Sequence, residues 1–426
     1  MEPNIILSKP DKTVKGTVQL TGSKSECNRA LIIEALSKGV VKVSNVSDAA
    51  DAVTLASVLS SGLRVASSEN LQLATDNTQL INIGPAGTAM RFLTAYLPLQ
   101  DEEVILTGTK RMQQRPIGIL VDAMRALGAK IDYEISDGFP PIRIHAGFEQ
   151  VADEISVKGD ISSQYITALL LIASSLPKGL KLNIEGELTS KPYVEMTLAM
   201  LQQCGIQYTW EGNSIHITNQ PFKGTEIYVE PDWSAASYWY AIAALSNEAE
   251  LFLPGLKAYS LQGDSVITEI MANFGITSQF KDGGVYLQKE AKPVIRKIFD
   301  FKECPDLAQT VVVVCAALGH DATFTGLETL KIKETDRIAA LQNELAKIGV
   351  KLIEKGQVYK LDCSAKHIPE KVTIHTYEDH RMAMAFAPLA LVISQVEIED
   401  PMVVEKSYPA FWRDLEKMGF ITDGIA

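Results

Sequence analysis

Gly22-Ser23-Lys24-Ser25-Glu26-Cys27-Asn28-Arg29 sets a lysine and two hydroxyls on a small-residue turn, with an arginine shortly after and then the apolar run Ala30-Leu31-Ile32-Ile33. The pattern predicts a helix that opens inside this octet. The first N–H groups of a helix have no internal partner and lie at the positive end of its dipole. An anion placed there collects those donors and the neighbouring cationic side chains, so the chemistry on offer is phosphate or carboxylate binding. Gly-Ser-x-Ser is also an ordinary helix N-cap, and the octet by itself leaves both readings open.

Similar points recur along the chain. One series of predicted helices opens with Lys24 and Arg29, Gly87 and Arg91, Ser162-Ser163-Gln164, Asp232, Asp306, and Asp379-His380-Arg381. A second opens at Asp48, Arg115-Pro116, Lys191-Pro192-Tyr193, Gln262-Gly263-Asp264, Lys333-Glu334-Thr335-Asp336-Arg337 and Lys406-Ser407-Tyr408-Pro409. The dipole disfavours lysine and arginine at a helix N-terminus, so their repeated presence asks for an anion to complete the charge balance. Any one of them has a plainer reading as half of an ion pair, Lys333 with Glu334 or Asp336 for example. The set as a whole favours the anion, because independent accidents should not fall at equivalent points of a repeat.

That repeat is what must position these residues. Six helices end on a glycine that leads into a β-rich stretch: Gly62, Gly128, Gly205, Gly275, Gly349 and Gly419, spaced 66, 77, 70, 74 and 70 residues apart. Glycine just past a helix end is the expected left-handed stop, and regular spacing signals a duplicated unit. An amphipathic helix precedes each glycine, as Ile338, Leu341, Leu345 and Ile348 illustrate. An earlier, more apolar helix starts near Ser23, Gly87, Ser162, Ser234, Asp306 and Asp379, residues of N-cap type. Strand-like runs such as 103–106, 142–145 and 181–184 separate the helices. Each unit reads as two helices and about four short strands, giving an α/β protein of six repeats grouped three and three into two domains.

Composition narrows the function. Of 426 residues, 46% are hydrophobic and mean hydropathy is near zero, which describes a protein with ample core. The apolar stretch 382–393 contains Pro388 and is shorter than a spanning helix needs. The start Met1-Glu2-Pro3-Asn4-Ile5 shows no export signal, and five cysteines without paired spacing argue for a reducing cytoplasm and against a zinc site. A net charge of −12 argues against nucleic acid or an anionic membrane as partner.

Seven motifs in order carry a resemblance: Gly22-Ser23-Lys24-Ser25-x-x-Asn28-Arg29, Ala86-Gly87-Thr88-Ala89-Met90-Arg91, Arg115-Pro116-Ile117-Gly118, Ser162-Ser163-Gln164, Ser190-Lys191-Pro192-Tyr193, Lys333-Glu334-Thr335-Asp336-Arg337 and Asp379-His380-Arg381-Met382-Ala383-Met384. Together they resemble the 5-enolpyruvylshikimate-3-phosphate synthase family from about residue 16 to the C-terminus. The resemblance implies two domains, each of three βαβαββ units with buried helices, an inside-out barrel. The expected boundaries are 20–229 for one and 1–19 plus 230–426 for the other, with the active site in the cleft between them.

The reaction implied is transfer of the enolpyruvyl group of phosphoenolpyruvate to the 5-hydroxyl of shikimate 3-phosphate, with release of phosphate, on the route to aromatic amino acids. No metal and no organic cofactor is implied, and a monomer is expected. By position in the motifs, Lys24 touches both substrates. Ser25, Arg29, Ser162, Ser163, Ser190, Asp306 and Lys333 hold shikimate 3-phosphate, and Gln164 lies between the two. Gly87, Arg115, Arg337, Arg381 and Lys406 hold phosphoenolpyruvate. Asp306 and Glu334 resemble the groups that move the two protons, with Lys24 beside them. Asp306 also has the reading of a helix N-cap after Pro305. His380 is either a donor that orients a ligand or a packed histidine behind the site.

The chain departs from the commonest family pattern at Cys27, Pro85, Phe92 and Thr329, where serine, asparagine, proline and asparagine are frequent. Pro85 and Phe92 flank the turn expected to take phosphoenolpyruvate. Two other readings remain. The sister transferase acting on UDP-N-acetylglucosamine uses a loop cysteine, and here that loop reads Thr109-Lys110-Arg111-Met112-Gln113-Gln114-Arg115 without one. A non-catalytic scaffold for acidic metabolites would not need Asp306 and Glu334 among so many cations.

Overall fold

The structure, a computed structural model, describes residues 4–60, 78–159 and 162–424. It divides into two compact units, one of residues 24–229 and one of residues 1–23 with 230–426.

One sheet pattern recurs through both units. A parallel pair of strands is followed by two antiparallel partners, and the last strand of the repeat lies inside the next-to-last. In the 24–229 unit this holds for 79–82, 104–107, 142–144 and 131–133, and again for 154–158, 180–185, 214–217 and 209–211. In the other unit it holds for 13–17, 248–254, 284–289 and 276–281, and for 298–300, 322–325, 358–362 and 351–355. The last repeat follows the same order with strand 5–8 supplied from the N-terminus, lying between 395–398 and 421–423. Strand 225–228 pairs in parallel with 41–44, so the first repeat borrows its opening strand from the end of its own unit. The mixed α/β architecture of βαβαββ repeats is therefore as expected.

Twelve α-helices occur among the described residues: α1 (Lys24–Leu36), α2 (Ala50–Ser60), α3 (Gly87–Tyr96), α4 (Gly118–Leu127), α5 (Ser163–Ala173), α6 (Lys191–Gln203), α7 (Trp233–Leu245), α8 (Ile267–Ala272), α9 (Ala308–Leu318), α10 (Arg337–Ala346), α11 (His380–Phe386) and α12 (Phe411–Lys417). The odd-numbered helices are buried nearly all round, as all-apolar sequences such as Val311-Val312-Val313-Val314 in α9 require. α1, α3 and α5 pack on one another in one unit, and α7, α9 and α11 in the other. Each unit has its own core. The even-numbered helices are amphipathic and cover those cores. Gly128 and Gly349 show why glycine ends them: φ is +115° and +74°, and a Cβ would stand 2.0 and 2.1 Å from the carbonyl oxygens of Glu149 and Ala365. Gly62 lies outside the described residues.

Five expected helix starts shift. α7 is capped by Asp232, whose carboxylate accepts from Ala235 N at 3.0 Å, so Ser234 lies inside the first turn. Asp306 sits in a 3-10 turn, Pro305–Leu307, and does not cap α9, because tertiary arginines take its carboxylate instead. The cations Arg115, Lys333 and Lys406 stand in or just after the 3-10 turns Met112–Gln114, Glu328–Ile332 and Pro401–Lys406 that precede α4, α10 and α12. The dipole penalty inferred for them from sequence is thereby avoided.

Candidate active site

In the unit of 230–426, four elements bring six charged side chains together. α10 opens on Arg337 after Asp336, which caps it by accepting from Ile338 N and Ala339 N at 3.1 and 3.0 Å. That leaves the Arg337 side chain free of its own helix. Its guanidinium is 1% exposed, and each nitrogen meets a carboxylate: Nε donates to Asp379 at 2.7 Å, Nη1 to Asp306 at 3.1 Å and Nη2 to Glu334 at 2.8 Å. Lys406 donates to the other oxygen of Glu334 at 3.0 Å, and Arg381 Nη2 lies 3.0 Å from the other oxygen of Asp306. Asp379 caps α11 as well, accepting from Arg381 N at 2.9 Å.

The electrostatics follow from this packing. Burial would push the Asp306 carboxyl up, but Arg381, Lys333 and Arg337 outweigh it and hold the group well below the usual carboxylate range. Burial disfavours the charge on Arg337, yet Asp379, Glu334 and Asp306 more than restore it. Asp306 is thus an ionised base whose basicity is suppressed by cations that an incoming anion would engage.

In the unit of 24–229, Arg29 is bonded to neutral groups, whereas Lys24 faces a carboxylate. Arg29 is buried beneath α1, donating to Thr197 Oγ1 at 2.9 Å, the Ser25 carbonyl at 2.6 Å, Thr167 Oγ1 at 3.4 Å and the Tyr193 carbonyl at 3.3 Å. Desolvation lowers its pKa to about 10. The Arg115 guanidinium lies against Gly87: a Cβ there would stand 2.6 Å from Nη1, so a larger residue would have to shift the end of that side chain. Arg115 is 7% exposed, and among the described residues its Nε meets no hydrogen-bond acceptor. The turn carrying it is fixed by the Pro116 carbonyl, which accepts from Arg91 Nη2 at 2.9 Å and from Tyr165 OH at 2.6 Å. Ser162 caps α5 by accepting from Gln164 N at 3.3 Å, and Gln164 Nε2 reaches Thr88 Oγ1 on α3 at 3.3 Å. Ser163 and Ser190 begin α5 and α6, Ser190 with φ +54°. Lys24 pairs with buried Asp51 at 3.2 Å.

Comparison with known proteins places this chain. The family model for EPSP synthase (3-phosphoshikimate 1-carboxyvinyltransferase) matches residues 8–415. The chain belongs to that family. A 3-phosphoshikimate 1-carboxyvinyltransferase of Bacteroides fragilis is 47% identical over 418 residues, covering 97% of this chain and 98% of the relative. The corresponding protein of Pectobacterium carotovorum is 37% identical, covering 96% and 97%. Among solved structures, an EPSP synthase from Acinetobacter baumannii superposes with a TM-score of 0.74 at 20% identity, covering 99% of this chain and all of that one. The enolpyruvyl transferase NikO from Streptomyces tendae gives the same score at 14% identity over 99% and 98% of the two chains. At those identities, the structural matches speak for the fold.

Within one unit, the expected residues Asp306, Glu334, Arg337, Arg381 and Lys406 are joined by direct contacts, with Lys333 acting on Asp306 through its charge. In the other, Gly87 meets Arg115, Ser25 meets Arg29, and Gln164 ties the starts of α5 and α3. Sequence reasoning missed Asp51, Asp379, Thr167 and Thr197 as partners of these cations. Asp379 had been visible only as a helix opener. His380 is buried, 3.5 Å from Asp379. Cys27 is also fully buried, where its sulfur accepts from Ser47 N at 3.4 Å and desolvation lifts the thiol to about 11.

Proposed function

We propose that the chain transfers the enolpyruvyl group of phosphoenolpyruvate to the 5-hydroxyl of shikimate 3-phosphate and releases inorganic phosphate. The observation that carries this reading is the Arg337 cluster, in which Asp306 and Glu334 share one buried guanidinium while Arg381 and Lys406 hold their other oxygens. Two carboxylates locked onto cations are what an addition–elimination with two proton transfers calls for. In this reading Arg115, Arg337, Arg381 and Lys406, together with Gly87, bind the phosphate and carboxylate of phosphoenolpyruvate, since arginine forks match both groups. Ser25, Arg29, Ser162, Ser163, Ser190 and Lys333 bind shikimate 3-phosphate, with Gln164 and Lys24 serving both substrates.

Once an anion engages Arg381 and Arg337, less positive charge bears on Asp306 and its proton affinity rises. Asp306 then accepts the proton of the attacking hydroxyl as its oxygen bonds to C2 of phosphoenolpyruvate. Glu334, protonated once Arg337 and Lys406 have turned to the substrate, gives its proton to the methylene carbon, and a tetrahedral phosphoketal forms. Reversal at Glu334 takes back a methyl proton and re-forms the double bond; phosphate leaves with the electron pair of its bond to C2 and takes up the proton held by Asp306, which restores both carboxyl groups. Lys24, assigned by its motif to both substrates, steadies the charge that develops in both steps.

The test is phosphate release from phosphoenolpyruvate. Release is expected with shikimate 3-phosphate and without added metal, and not with UDP-N-acetylglucosamine. Lys24→Ala and Arg115→Ala should each lower kcat/KM and raise KM for phosphoenolpyruvate. Turnover of the nucleotide sugar, or of neither acceptor, rejects the reading.

A further inference from the structure

The turn Gly263–Val266 is pinned to the start of α7. Trp233 N donates to Gln262 Oε1 at 2.9 Å, and Gln262 Nε2 donates to the Pro231 carbonyl at 2.9 Å. The pinning drives Asp264 into the interior, where it is 4% exposed. There the Ser234 hydroxyl makes a short hydrogen bond to Asp264 Oδ2 and accepts from Arg381 Nη2 at 3.4 Å. The same Nη2 stands 3.0 Å from Asp306, and Arg381 Nη1 donates to Tyr238 OH at 3.1 Å. The guanidinium of Arg381 is thus suspended between two hydroxyls of α7 and the carboxylate ahead of α9. Burying a carboxylate this deeply is costly, and among the described residues its hydrogen bond to Ser234 leads on to Arg381.

We propose that Asp264 is a positioning residue for the transfer: by orienting the Ser234 hydroxyl, it sets how Arg381 stands between Asp306 and an incoming phosphoenolpyruvate. The inference rests on the function proposed above. The charged and titratable groups that face Asp264 are Asp306 and Cys304 on the turn before α9, Arg381 on α11 and Asp232 at the cap of α7. Burial and then repulsion from Asp306 raise the Asp264 carboxyl to about 7, so near neutrality it is partly protonated while Asp306 stays ionised. Its Oδ2 accepts from Ser234 in either form. Without that acceptor the hydroxyl turns away, and Arg381 closes onto Asp306, where it meets a substrate anion less readily.

Steady-state kinetics of the full chain with both substrates test this. Asp264→Ala and Ser234→Ala should each raise KM for phosphoenolpyruvate about tenfold, the range expected for losing one hydrogen bond in a charged network. KM for shikimate 3-phosphate should not move. The double variant should be no worse than either single, because the two residues act in series. Asp264→Asn keeps an oxygen for Ser234 and should return KM to within about twofold of wild type. An unchanged KM in Asp264→Ala, additive losses in the double variant, or an asparagine no better than alanine each overturns the inference. If Asp264→Ala does not fold, an unchanged KM in Ser234→Ala overturns it alone. Absence of turnover by the wild-type protein is the distinct result that rejects the function itself, and this inference with it.

Discussion

Glu334 and Cys27 show how two motif residues can differ in kind. Glu334 is held by Arg337 at 2.8 Å and Lys406 at 3.0 Å, and in the proposed reaction it exchanges a proton once those cations turn to substrate. Cys27 has no such neighbour, and its raised pKa keeps it a thiol. Glu334→Gln keeps the shape and loses the titration, so kcat should fall by about 10²–10⁴, as for other general acid–base groups. Cys27→Ser should stay near wild-type turnover, since a hydroxyl can still accept from Ser47 N. Parallel rate measurements decide it, and a dead serine variant beside a healthy Glu334→Gln would overturn the mechanism. Gly87→Ala probes the other unit. The added methyl must displace the Arg115 guanidinium, which a Cβ would approach to 2.6 Å. KM for phosphoenolpyruvate should rise by about tenfold or more with little change for shikimate 3-phosphate, on the scale of one lost charged contact. Much at this scale was readable in the chain: Asp336, Asp379 and Ser162 cap helices because their bonds reach two or three residues along. The bonds of Lys24 to Asp51 and of Arg29 to Thr167 and Thr197 cross between helices, and no local spacing announces them. Only the alternative reading of Asp306 as a helix cap fails, because the arginines that take its carboxylate lie 31 and 75 residues away.

At the scale of elements, the even-numbered helices depend on their terminal glycines. Gly349 and Gly356 make a controlled pair: both have positive φ, but a Cβ meets Ala365 O at 2.1 Å in the first and nothing within 4 Å in the second. Gly356→Ala should cost about 1–2 kcal/mol, the penalty of the left-handed region alone. Gly349→Ala should cost distinctly more, because backbone must also move. Urea unfolding of the two variants checks the order, and equal costs would show that the strand gives way. A pH effect belongs to the strands of the 24–229 unit. His145, at the end of strand 142–144, lies 2.8 Å from Asp132 and 3.0 Å from Glu103, and its pKa is raised chiefly by the bond to Asp132, with Glu103 adding to it. A raised folded value means that the stabilisation is complete below the unfolded value of about 6.5 and is lost as pH rises through the folded one. The Tm of wild type should therefore fall relative to His145→Gln as pH climbs from about 6 to 8, modestly given the solvent around the ring. Repeats, apolar helices and glycine stops were legible because each is a short-range pattern. Which strand completes which sheet was not, because 5–8 and 225–228 pair far from their neighbours in sequence.

At the scale of the molecule, the 24–229 unit is one continuous stretch with its own core, whereas the other needs both ends of the chain. Residues 24–229 alone should unfold cooperatively in urea. Residues 230–426 alone should not, since they lack the strands 5–8 and 13–17 that occupy an inner and an edge position in two sheets. Adding residues 1–23 as a separate peptide should restore a transition. Cooperative unfolding of 230–426 without them would show those strands to be dispensable.

Strand 5–8 also sets a clock for synthesis. Its partners at 395–398 and 421–423 are made nearly four hundred residues or more after it. At roughly 5–20 residues per second, the first strand waits on the order of 20–80 seconds with its backbone groups unpaired and Ile5 and Leu7 exposed. The 24–229 stretch can fold as it emerges, because among the described residues its strands pair only with one another. The N-terminus meanwhile offers an open edge of the kind that invites pairing with other chains. Ribosome-bound chains halted near residue 240 should thus carry a protease-resistant 24–229 body behind a freely cleaved leader, and the leader should become resistant only when the final strand is released.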